Sequence, residues 1–488
     1  MKYSSTRDSS LSFSSAECFV KGISAEGGLF VPTEYPQLAL EEIGKMAEMD
    51  YCERAFCVLS RYLTDFSADE IKDCIKRAYS SFDCAEVVPL KYLEDNLAVM
   101  ELYHGPTLAF KDVALQILPH FLRYARVKTG EQAETMILVA TSGDTGKAAL
   151  EGFCDVEGMR IAVFFPNDGV SKMQQLQMTT QTGANVKVCA VNGNFDDAQT
   201  GVKNIFADES VKEELLAKNI KLSSANSINW GRLVPQLVYY FSAYADMLKD
   251  NKIALGDKVN FVVPTGNFGD ILAGYFAYKM GLPVNKLICA SNKNRVLTDF
   301  FATGEYNANR EFYKTVSPSM DIIISSNLER LLYLESGDDK LVEELMLKLK
   351  KEGKYAISNE LLDKINACFG ADCANEEEIA QTIKNVWDKY AYCIDTHTAV
   401  GAAVYEKLGD KTPTVLLSTA SPYKFPHSVL TAINGTAPDD EFDCAEQLKA
   451  MGVEMPASIA ELKQKPILHK DVCEKQDMEN YILNSVNK

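Results

Sequence analysis

The chain has 488 residues, of which 47% are hydrophobic and 24% are charged, and its formal net charge is −18 with a pI near 4.9. At roughly 100–200 residues per domain, this length exceeds one hydrophobic core, and the composition is that of a globular rather than a disordered protein. The acidic balance excludes a nucleic-acid partner, which requires clustered lysine and arginine, but it leaves an anionic small-molecule substrate open.

The sequence predicts a cytoplasmic protein with no membrane partner and no bound metal. Its first residues lack the apolar core of a signal peptide, and no apolar run is long enough to cross a membrane. The thirteen cysteines are scattered from Cys18 to Cys473, and the closest pairs lack the neighbouring ligands of a zinc site. We interpret them as reduced, mostly buried thiols.

The first part of the chain, residues 1–90, predicts a mainly helical N-terminal lead-in domain. Glu41–Met49 and Asp69–Ser80 have the apolar spacing of amphipathic helices. Residues 25–32 predict a turn leading into a short strand.

From residue 91 onward, short apolar runs alternate with helical stretches. Runs of this length between helices are typical of buried parallel strands in βαβ units, and the clearest are Met136–Ala140, Ile161–Phe165, Val186–Val191, Val259–Val263, Leu287–Ser291 and Thr414–Ser418. The fold class is therefore α/β, with more than one open, mostly parallel sheet flanked by helices. In such folds ligands bind beyond the carboxyl ends of the strands.

We expect two α/β domains after the lead-in. Residues 91–205 form the smaller one, which carries Lys111 and the loop Thr141–Gly146. Residues 206–488 form the larger one, with a second glycine-containing loop and a charged, helix-rich insertion at about 325–390.

Two loops after predicted strands combine glycines with polar residues. The first is Thr141-Ser142-Gly143-Asp144-Thr145-Gly146, and the second is Gly266-Asn267-Phe268-Gly269-Asp270. Such loops leave backbone N–H groups free to bind an anion at the start of a helix. Because ordinary βα turns also require glycine, each pattern alone has a purely structural alternative.

Two other segments carry candidate chemistry. Lys111 lies in an otherwise apolar and small-residue segment, so it is either a surface lysine at a helix start or a desolvated amine with a lowered pKa. Residues 418–425 place a hydroxyl cluster and Lys424 after a strand, and the alternative there is a strand cap and turn.

With these residues the chain resembles the threonine synthases, members of the fold-type-II pyridoxal-phosphate-dependent enzymes, in the longer form of bacteria and fungi. The likeness spans nearly the whole chain and is most specific around Lys111. The matching segments are residues 5–7, 27–32, 104–112, 141–146, 175–199, 226–236, 264–270, 395–401 and 418–425. The resemblance implies the fold-type-II architecture and pyridoxal 5'-phosphate as the cofactor.

The resemblance also implies how the cofactor is held. Lys111 would bind it covalently and move protons at the substrate. The backbone amides of Gly266, Asn267, Phe268 and Gly269 would bind its phosphate, with Asp270 beside them. Thr419 would face the pyridine nitrogen, and Asp144 would lie near the phenolic oxygen.

For the substrate, the resemblance implies two anion sites. The carboxylate would be received by the first loop, through Thr141, Ser142, Gly143 and Thr145. The phosphate would be bound by Asn226, Ser227, Arg232 and Lys424, since guanidinium and ammonium groups suit phosphate. Ser421 stands where several relatives have histidine, so no proton-relay role is implied for it.

The implied activity is the conversion of O-phospho-L-homoserine and water into L-threonine and phosphate. The alternatives are another lyase of the same cofactor family, such as a serine or threonine dehydratase or a cysteine synthase, and a non-catalytic homologue. We expect a small-molecule substrate and a monomer or homodimer.

Overall fold

The computed structural model of the protein describes residues 1–141 and 143–486. Its strands, in chain order, are β1 (Tyr3–Ser5), β2 (Asp8–Phe13), β3 (Phe30–Pro32), β4 (Leu90–Glu94), β5 (Leu97–Glu101), β6 (Glu134–Ala140), β7 (Met159–Pro166), β8 (Val186–Asn192), β9 (Ile220–Ser223), β10 (Val259–Pro264), β11 (Val284–Ser291), β12 (Glu305–Asn307), β13 (Lys354–Ala356), β14 (Phe369–Cys373), β15 (Thr414–Ser418) and β16 (Asp471–Glu474).

The helices surround these strands. In chain order they are α1 (Ser15–Lys21), α2 (Leu40–Lys45), α3 (Tyr51–Tyr62), α4 (Ala68–Tyr79), α5 (Lys111–Leu115), α6 (Leu118–Thr129), α7 (Asp144–Phe153), α8 (Lys172–Thr179), α9 (Phe195–Ala207), α10 (Glu209–Ala217), α11 (Trp230–Leu233), α12 (Leu237–Lys249), α13 (Gly269–Lys279), α14 (Val296–Thr303), α15 (Leu328–Ser336), α16 (Asp339–Glu352), α17 (Asn359–Cys368), α18 (Glu376–Tyr390), α19 (Thr396–Leu408), α20 (Pro426–Asn434), α21 (Glu441–Ala450), α22 (Ala457–Ala460) and α23 (Met478–Ser485).

The larger sheet has six strands in the order β14-β11-β10-β15-β5-β4. All neighbours in it are parallel except the β4–β5 pair. Every residue of β10 and β15 is buried, because helices cover both faces of the sheet. Their continuous apolar runs are what the sequence predicted for strands of this kind.

The smaller sheet has five parallel strands in the order β16-β8-β7-β6-β9. Its outermost strand, β16, comes from late in the chain and pairs along β8, with Asp471 opposite Cys189. β4 and β5 belong to the larger sheet but precede β6–β9 of the smaller sheet in the chain, and the other strands of the larger sheet, β10, β11, β14 and β15, follow them. Neither sheet is therefore one continuous segment, and the predicted borders at residues 90 and 205 stay a prediction.

The N-terminal region contains the predicted helices together with a three-stranded antiparallel sheet, β2-β1-β3. α3 and α4 begin at capping boxes, in which the side chains of Asp50 and Ser67 each accept from a backbone N–H three residues on. The largest hydrophobic cluster includes Phe19, Ile137 and Phe261, so the lead-in packs onto both sheets. The α/β fold class is confirmed; the lead-in is less purely helical than the sequence predicted.

Two further features bear on the predictions from composition. Within residues 1–141 and 143–486, the structure has no helix long and apolar enough to cross a membrane. Seven of the thirteen cysteines are buried and six are half-buried, and all are free thiols.

Candidate active site

A cavity of about 410 Å³ opens at the carboxyl ends of strands from both sheets. Its wall includes residues just after β6, β10 and β15, the start of α5, and a short 3-10 turn at Pro318–Met320. This is the position where parallel strands place a ligand. Thr141, Lys111, Gly266 and Thr419 all reach it, so the structure brings all four candidate segments together.

Lys111 is the first residue of α5 and is largely buried, with 12% of its side chain exposed. Its Nζ lies 3.3 Å from Ser319 Oγ and 3.7 Å from Asp144 Oδ2. Burial lowers the pKa of Lys111; Asp144 partly offsets this, and the like charges of Lys424 and Arg232 lower the pKa further. The alternative of a surface lysine is excluded, and a larger fraction of this amine is neutral at a given pH than of an ordinary lysine.

Asp144 is the counter-ion of two lysines. Its Oδ1 lies 2.8 Å from Lys424 Nζ, and its Oδ2 accepts from Ser319 Oγ at 2.8 Å. Burial alone would raise the pKa of Asp144, but the ammonium groups of Lys424 and Lys111 outweigh burial and hold that pKa well below its ordinary value. Asp144 is therefore ionised and can only accept hydrogen bonds. We call Lys111, Asp144, Ser319 and Lys424 the Asp144 cluster.

The second glycine loop leads from β10 into α13, an eleven-residue helix. Phe268 enters that helix at φ +63°, a left-handed conformation that is uncommon for a residue other than glycine. A Cβ on Gly266 would lie 3.0 Å from the backbone oxygen of Ser319, so a side chain there would intrude on the cavity wall. Backbone N–H groups at a helix N-terminus attract phosphate. Gly266, Asn267, Phe268 and Gly269 all line the cavity.

Asp270 follows this loop in the first turn of α13 and is buried. The hydroxyls of Tyr239 and Tyr240 donate to its Oδ1, while its Oδ2 has no hydrogen-bond partner among the described residues. Burial raises the pKa of Asp270 to about 6, although the tyrosine hydrogen bonds oppose that rise. Asp270 also lines the cavity.

The first glycine loop differs in where its amides point. The Thr141 hydroxyl oxygen accepts from the N–H groups of Gly143 and Gly146, both at 3.0 Å. These two amides are therefore already bonded inside the loop. Thr141, Asp144 and Thr145 line the cavity, whereas Ser142 lies outside the described residues.

Arg232 is a second buried cation of the cavity wall. Two neutral residues, Asn226 and Ser227, also line the cavity near it. One guanidinium nitrogen donates to the Ala225 carbonyl, its Nε has no partner, and it pairs with no carboxylate in the part of the chain that the structure describes. Burial lowers the pKa of Arg232 to about 10, so it stays charged at neutral pH. An unpaired buried cation is costly, and an anionic ligand would relieve that cost.

Thr419 directly follows β15 and lines the cavity beside Lys111. Its backbone oxygen accepts from the Phe110 N–H at 2.9 Å, which joins the two segments. Ser421, two residues further, accepts with its side chain from the Tyr423 N–H at 3.3 Å. Ser421 thus caps a short turn, which is the alternative given above for this segment.

Sequence reasoning missed Ser319 and His397. His397 Nδ1 lies 2.7 Å from Asp395 Oδ2, and its Nε2 accepts from the Ser319 N–H at 3.2 Å. Both residues line the cavity. A signal existed for His397, because residues 395–401 belong to the segments that resemble the family; Ser319 lies in an irregular stretch that carries no such pattern.

Comparisons with known proteins identify the family. A family model described as "Pyridoxal-phosphate dependent enzyme" matches residues 85–420. Models for the threonine synthase N terminus and the threonine synthase C-terminal region match residues 2–79 and 398–482. The chain belongs to the threonine synthase family of pyridoxal-phosphate-dependent enzymes.

Individual relatives of that family cover most of the chain. Threonine synthase of Pseudomonas aeruginosa is 40% identical over 90% of this chain and 92% of its own length. The crystal structure of a PLP-bound threonine synthase from Brucella melitensis is 39% identical, with a TM-score of 0.90 over 100% of both chains. Threonine synthase-like 1 of Homo sapiens is 40% identical over 86% of this chain, and the chain spans only 58% of that longer relative.

The residues present fit the cofactor of this family. A largely buried lysine with a lowered pKa shares one cavity with a helix N-terminus at which a side chain on Gly266 would not fit. The unbonded Oδ2 of Asp270 lies next to that helix N-terminus. Pyridoxal 5'-phosphate combines an aldehyde with a phosphate, and these are the groups that such a lysine and such a loop bind.

Proposed function

We propose that this protein is a threonine synthase, a pyridoxal-phosphate-dependent lyase that converts O-phospho-L-homoserine and water into L-threonine and phosphate. One observation carries the proposal: the cavity that holds Lys111 and the phosphate-type loop also holds Arg232, a buried cation that has no carboxylate partner among the described residues. A substrate that brings its own phosphate needs a second anion site of this kind, whereas serine does not.

When bound, pyridoxal phosphate supplies an electron sink that stabilises negative charge at the carbon atoms next to the substrate amine. Lys111 would hold it, the amides of Gly266, Asn267, Phe268 and Gly269 would bind its phosphate, and Thr419 would face its ring nitrogen. These assignments are supported by the common cavity and by the position of the loop at the start of α13.

The chain's own residues have three further tasks. Lys111, when its amine is free, takes and returns protons at the substrate, for which a lowered pKa is an advantage near neutral pH. Asp144 and Ser319 hold that amine in place at 3.7 and 3.3 Å. Arg232, with Asn226 and Ser227, binds the substrate phosphate and stabilises it as it leaves. Thr141 and Thr145, the residues of the first glycine loop that line the cavity with Asp144, receive the substrate carboxylate, because the Gly143 and Gly146 amides are already bonded inside the loop.

We also propose that the protein works in the cytoplasm, as a monomer or homodimer, on a small-molecule substrate. Its free thiols support the cytoplasmic location, because such thiols persist in a reducing compartment.

The test is an assay of phosphate release and threonine formation from O-phospho-L-homoserine by the cofactor-loaded protein. Lys111→Ala should lower the rate by about 10³-fold or more, because it removes both the cofactor attachment and the proton-transfer group. Borohydride reduction followed by peptide mass spectrometry should find the cofactor on Lys111.

Lys128→Ala is the matched control, since Lys128 pairs with Glu70 and does not line the cavity. It should keep the wild-type rate. If the wild type deaminates serine or threonine and does not act on O-phospho-L-homoserine, the protein is a dehydratase. A protein that takes up no cofactor would be a non-catalytic homologue.

A further inference from the structure

One group of side chains outside the cavity combines three ligand types that zinc prefers. Among the described residues, Asp83, Cys84 and His104 each offer a ligand atom, and these atoms lie within 4.8 Å of one another. Carboxylate oxygen, thiolate sulfur and imidazole nitrogen are the usual zinc ligands. We propose that these three residues form a binding site for a divalent transition-metal ion of the zinc type, with a water molecule as the fourth ligand.

A second carboxylate orients the imidazole for this role. His104 Nδ1 faces Asp83 Oδ1 at 2.7 Å, and Nε2 lies 3.0 Å from Glu101 Oε2. Once the proton between Nδ1 and Asp83 is lost and Nε2–H donates to Glu101, the Nδ1 lone pair faces Asp83 and is free for an ion. Metal-bound histidines commonly donate their second ring N–H to a carboxylate in this way. Tyr392 donates to the other Glu101 oxygen at 2.6 Å, so this carboxylate is itself fixed.

The backbone already holds the two ligand-bearing segments together. The Asp83 N–H donates to the His104 carbonyl at 3.0 Å, although the two residues are twenty-one positions apart. The ring of Tyr103 stacks on that of His104 with centroids 5.1 Å apart. A site that is ordered before the ion arrives loses little conformational entropy on binding.

The separation of the ligand atoms suits a tetrahedral ion after a small adjustment. Zinc bonds of roughly 2.0–2.3 Å place the ligand atoms about 3.3–3.8 Å apart. Asp83 must move slightly away from His104, and its half-exposed carboxylate can rotate to do so. Binding replaces the thiol proton of Cys84 and the proton between His104 and Asp83, both of which pass to solvent.

No motif in the sequence indicates this site, because the prediction of no metal considered only cysteines that are close together in the chain. Here one cysteine is used, and its partners come from the turn before β4 and the segment after β5. The other half-buried cysteines include Cys57, which contacts Arg61 instead of an imidazole. Cys57 therefore provides a matched control.

The experiment uses the purified, cofactor-loaded full chain, freed of metal and titrated with Co²⁺. Tetrahedral Co²⁺ with a thiolate ligand absorbs strongly in the red, where the cofactor does not. We expect one Co²⁺ per chain, displaced stoichiometrically by Zn²⁺.

Cys84→Ser should abolish the red bands and Cys57→Ser should keep them. Glu101→Gln should weaken binding about tenfold or more, as loss of a supporting carboxylate does.

Asp83→Asn is a second ligand variant, and the exposure of this residue leaves folding intact; it should weaken Co²⁺ binding at least about tenfold. The proposal is overturned if the wild type shows no red bands. It is also overturned if the bands persist unchanged in both Cys84→Ser and Asp83→Asn.

Discussion

Two regions of the cavity wall treat buried cations differently. In the Asp144 cluster, two ammonium groups share one ionised carboxylate, and Ser319 completes the set of hydrogen bonds. At Arg232 the guanidinium is equally buried but has no carboxylate, and its Nε has no hydrogen-bond partner in the described structure. In the first region a carboxylate of the chain neutralises part of the positive charge, and among the described residues no carboxylate does so for Arg232.

The difference separates a cluster that positions the Lys111 amine from a cation, Arg232, that is available to bind a ligand. A compensated cluster stays fixed whether or not a ligand is present, which suits the placement of Lys111. An uncompensated cation stores unfavourable free energy until an anion arrives, which suits recognition of a phosphate. The family resemblance implies that Arg232 and Lys424 bind the same substrate phosphate. In the structure Lys424 Nζ lies 2.8 Å from Asp144 Oδ1, and the role of Lys424 at the phosphate stays a prediction.

The largest expected effect comes from removing the carboxylate charge of the Asp144 cluster. Asp144→Asn leaves Lys111 and Lys424 buried without their counter-ion, so the free energy of unfolding should fall by about 3–5 kcal/mol. Urea unfolding of the cofactor-free protein at neutral pH measures it. Asp388→Asn is the control, because Asp388 forms an exposed pair with Lys384 and should cost only about 0.5 kcal/mol. Equal losses in both variants would contradict the comparison.

The next effect comes from removing the uncompensated cation. Arg232→Met should lower kcat/KM for O-phospho-L-homoserine by about 10²-fold, because it removes a desolvated partner of the phosphate. The same change should leave the ligand-free protein as stable as the wild type or more stable, since an apolar side chain replaces an unpaired charge. Steady-state kinetics and urea unfolding measure the two effects.

Arg330→Met is the matched control for Arg232→Met, which should lower kcat/KM without lowering stability. Arg330 is also fully buried, but its donors bond to Phe30, Asn327 and Ile228. Its loss should therefore destabilise the protein by roughly 1–3 kcal/mol, since the acceptors lose their partners. A destabilised Arg232→Met would show that Arg232 is structural.

The smallest effect concerns the pH dependence of cofactor capture. Capture requires the neutral amine of Lys111, and burial lowers the pKa of that amine. The capture rate of the cofactor-free protein should rise with pH, with a midpoint below the roughly 10.4 of an ordinary lysine. Because Asp144 raises the pKa of Lys111, Asp144→Asn should move the midpoint to a lower pH. Stopped-flow absorbance measures it, and an upward shift would contradict the assignment.

The fold was predictable where local pattern and burial agree. The apolar runs at residues 136–140, 259–263 and 414–418 lie within β6, β10 and β15, because a strand covered on both faces needs apolar residues throughout. β1 and β2 were missed, since their serine-rich residues carry little β signal. β16 was also missed; it is mostly exposed, and only a partner far away in the chain defines it.

The site was predictable where a residue type is out of place in its segment. Lys111 stands out among apolar neighbours, and the loop at Gly266–Gly269 stands out by its glycines. Ser319 has no such signal, because only the tertiary fold brings its hydroxyl to Lys111. The partner of Lys424 was equally unpredictable: Asp144 is far from it in sequence, and the sequence gives no distance between two charged side chains.

The position of β16 at the outside of the smaller sheet has a consequence for biosynthesis. β8 is made long before residues 471–474 leave the ribosome, so until then one of its edges carries unpaired backbone N–H and C=O groups. During that interval the nascent chain exposes a strand edge of the kind that promotes aggregation. A polypeptide that stops short of β16 keeps this edge for its whole lifetime, which makes premature termination near the end of translation a route to insoluble protein.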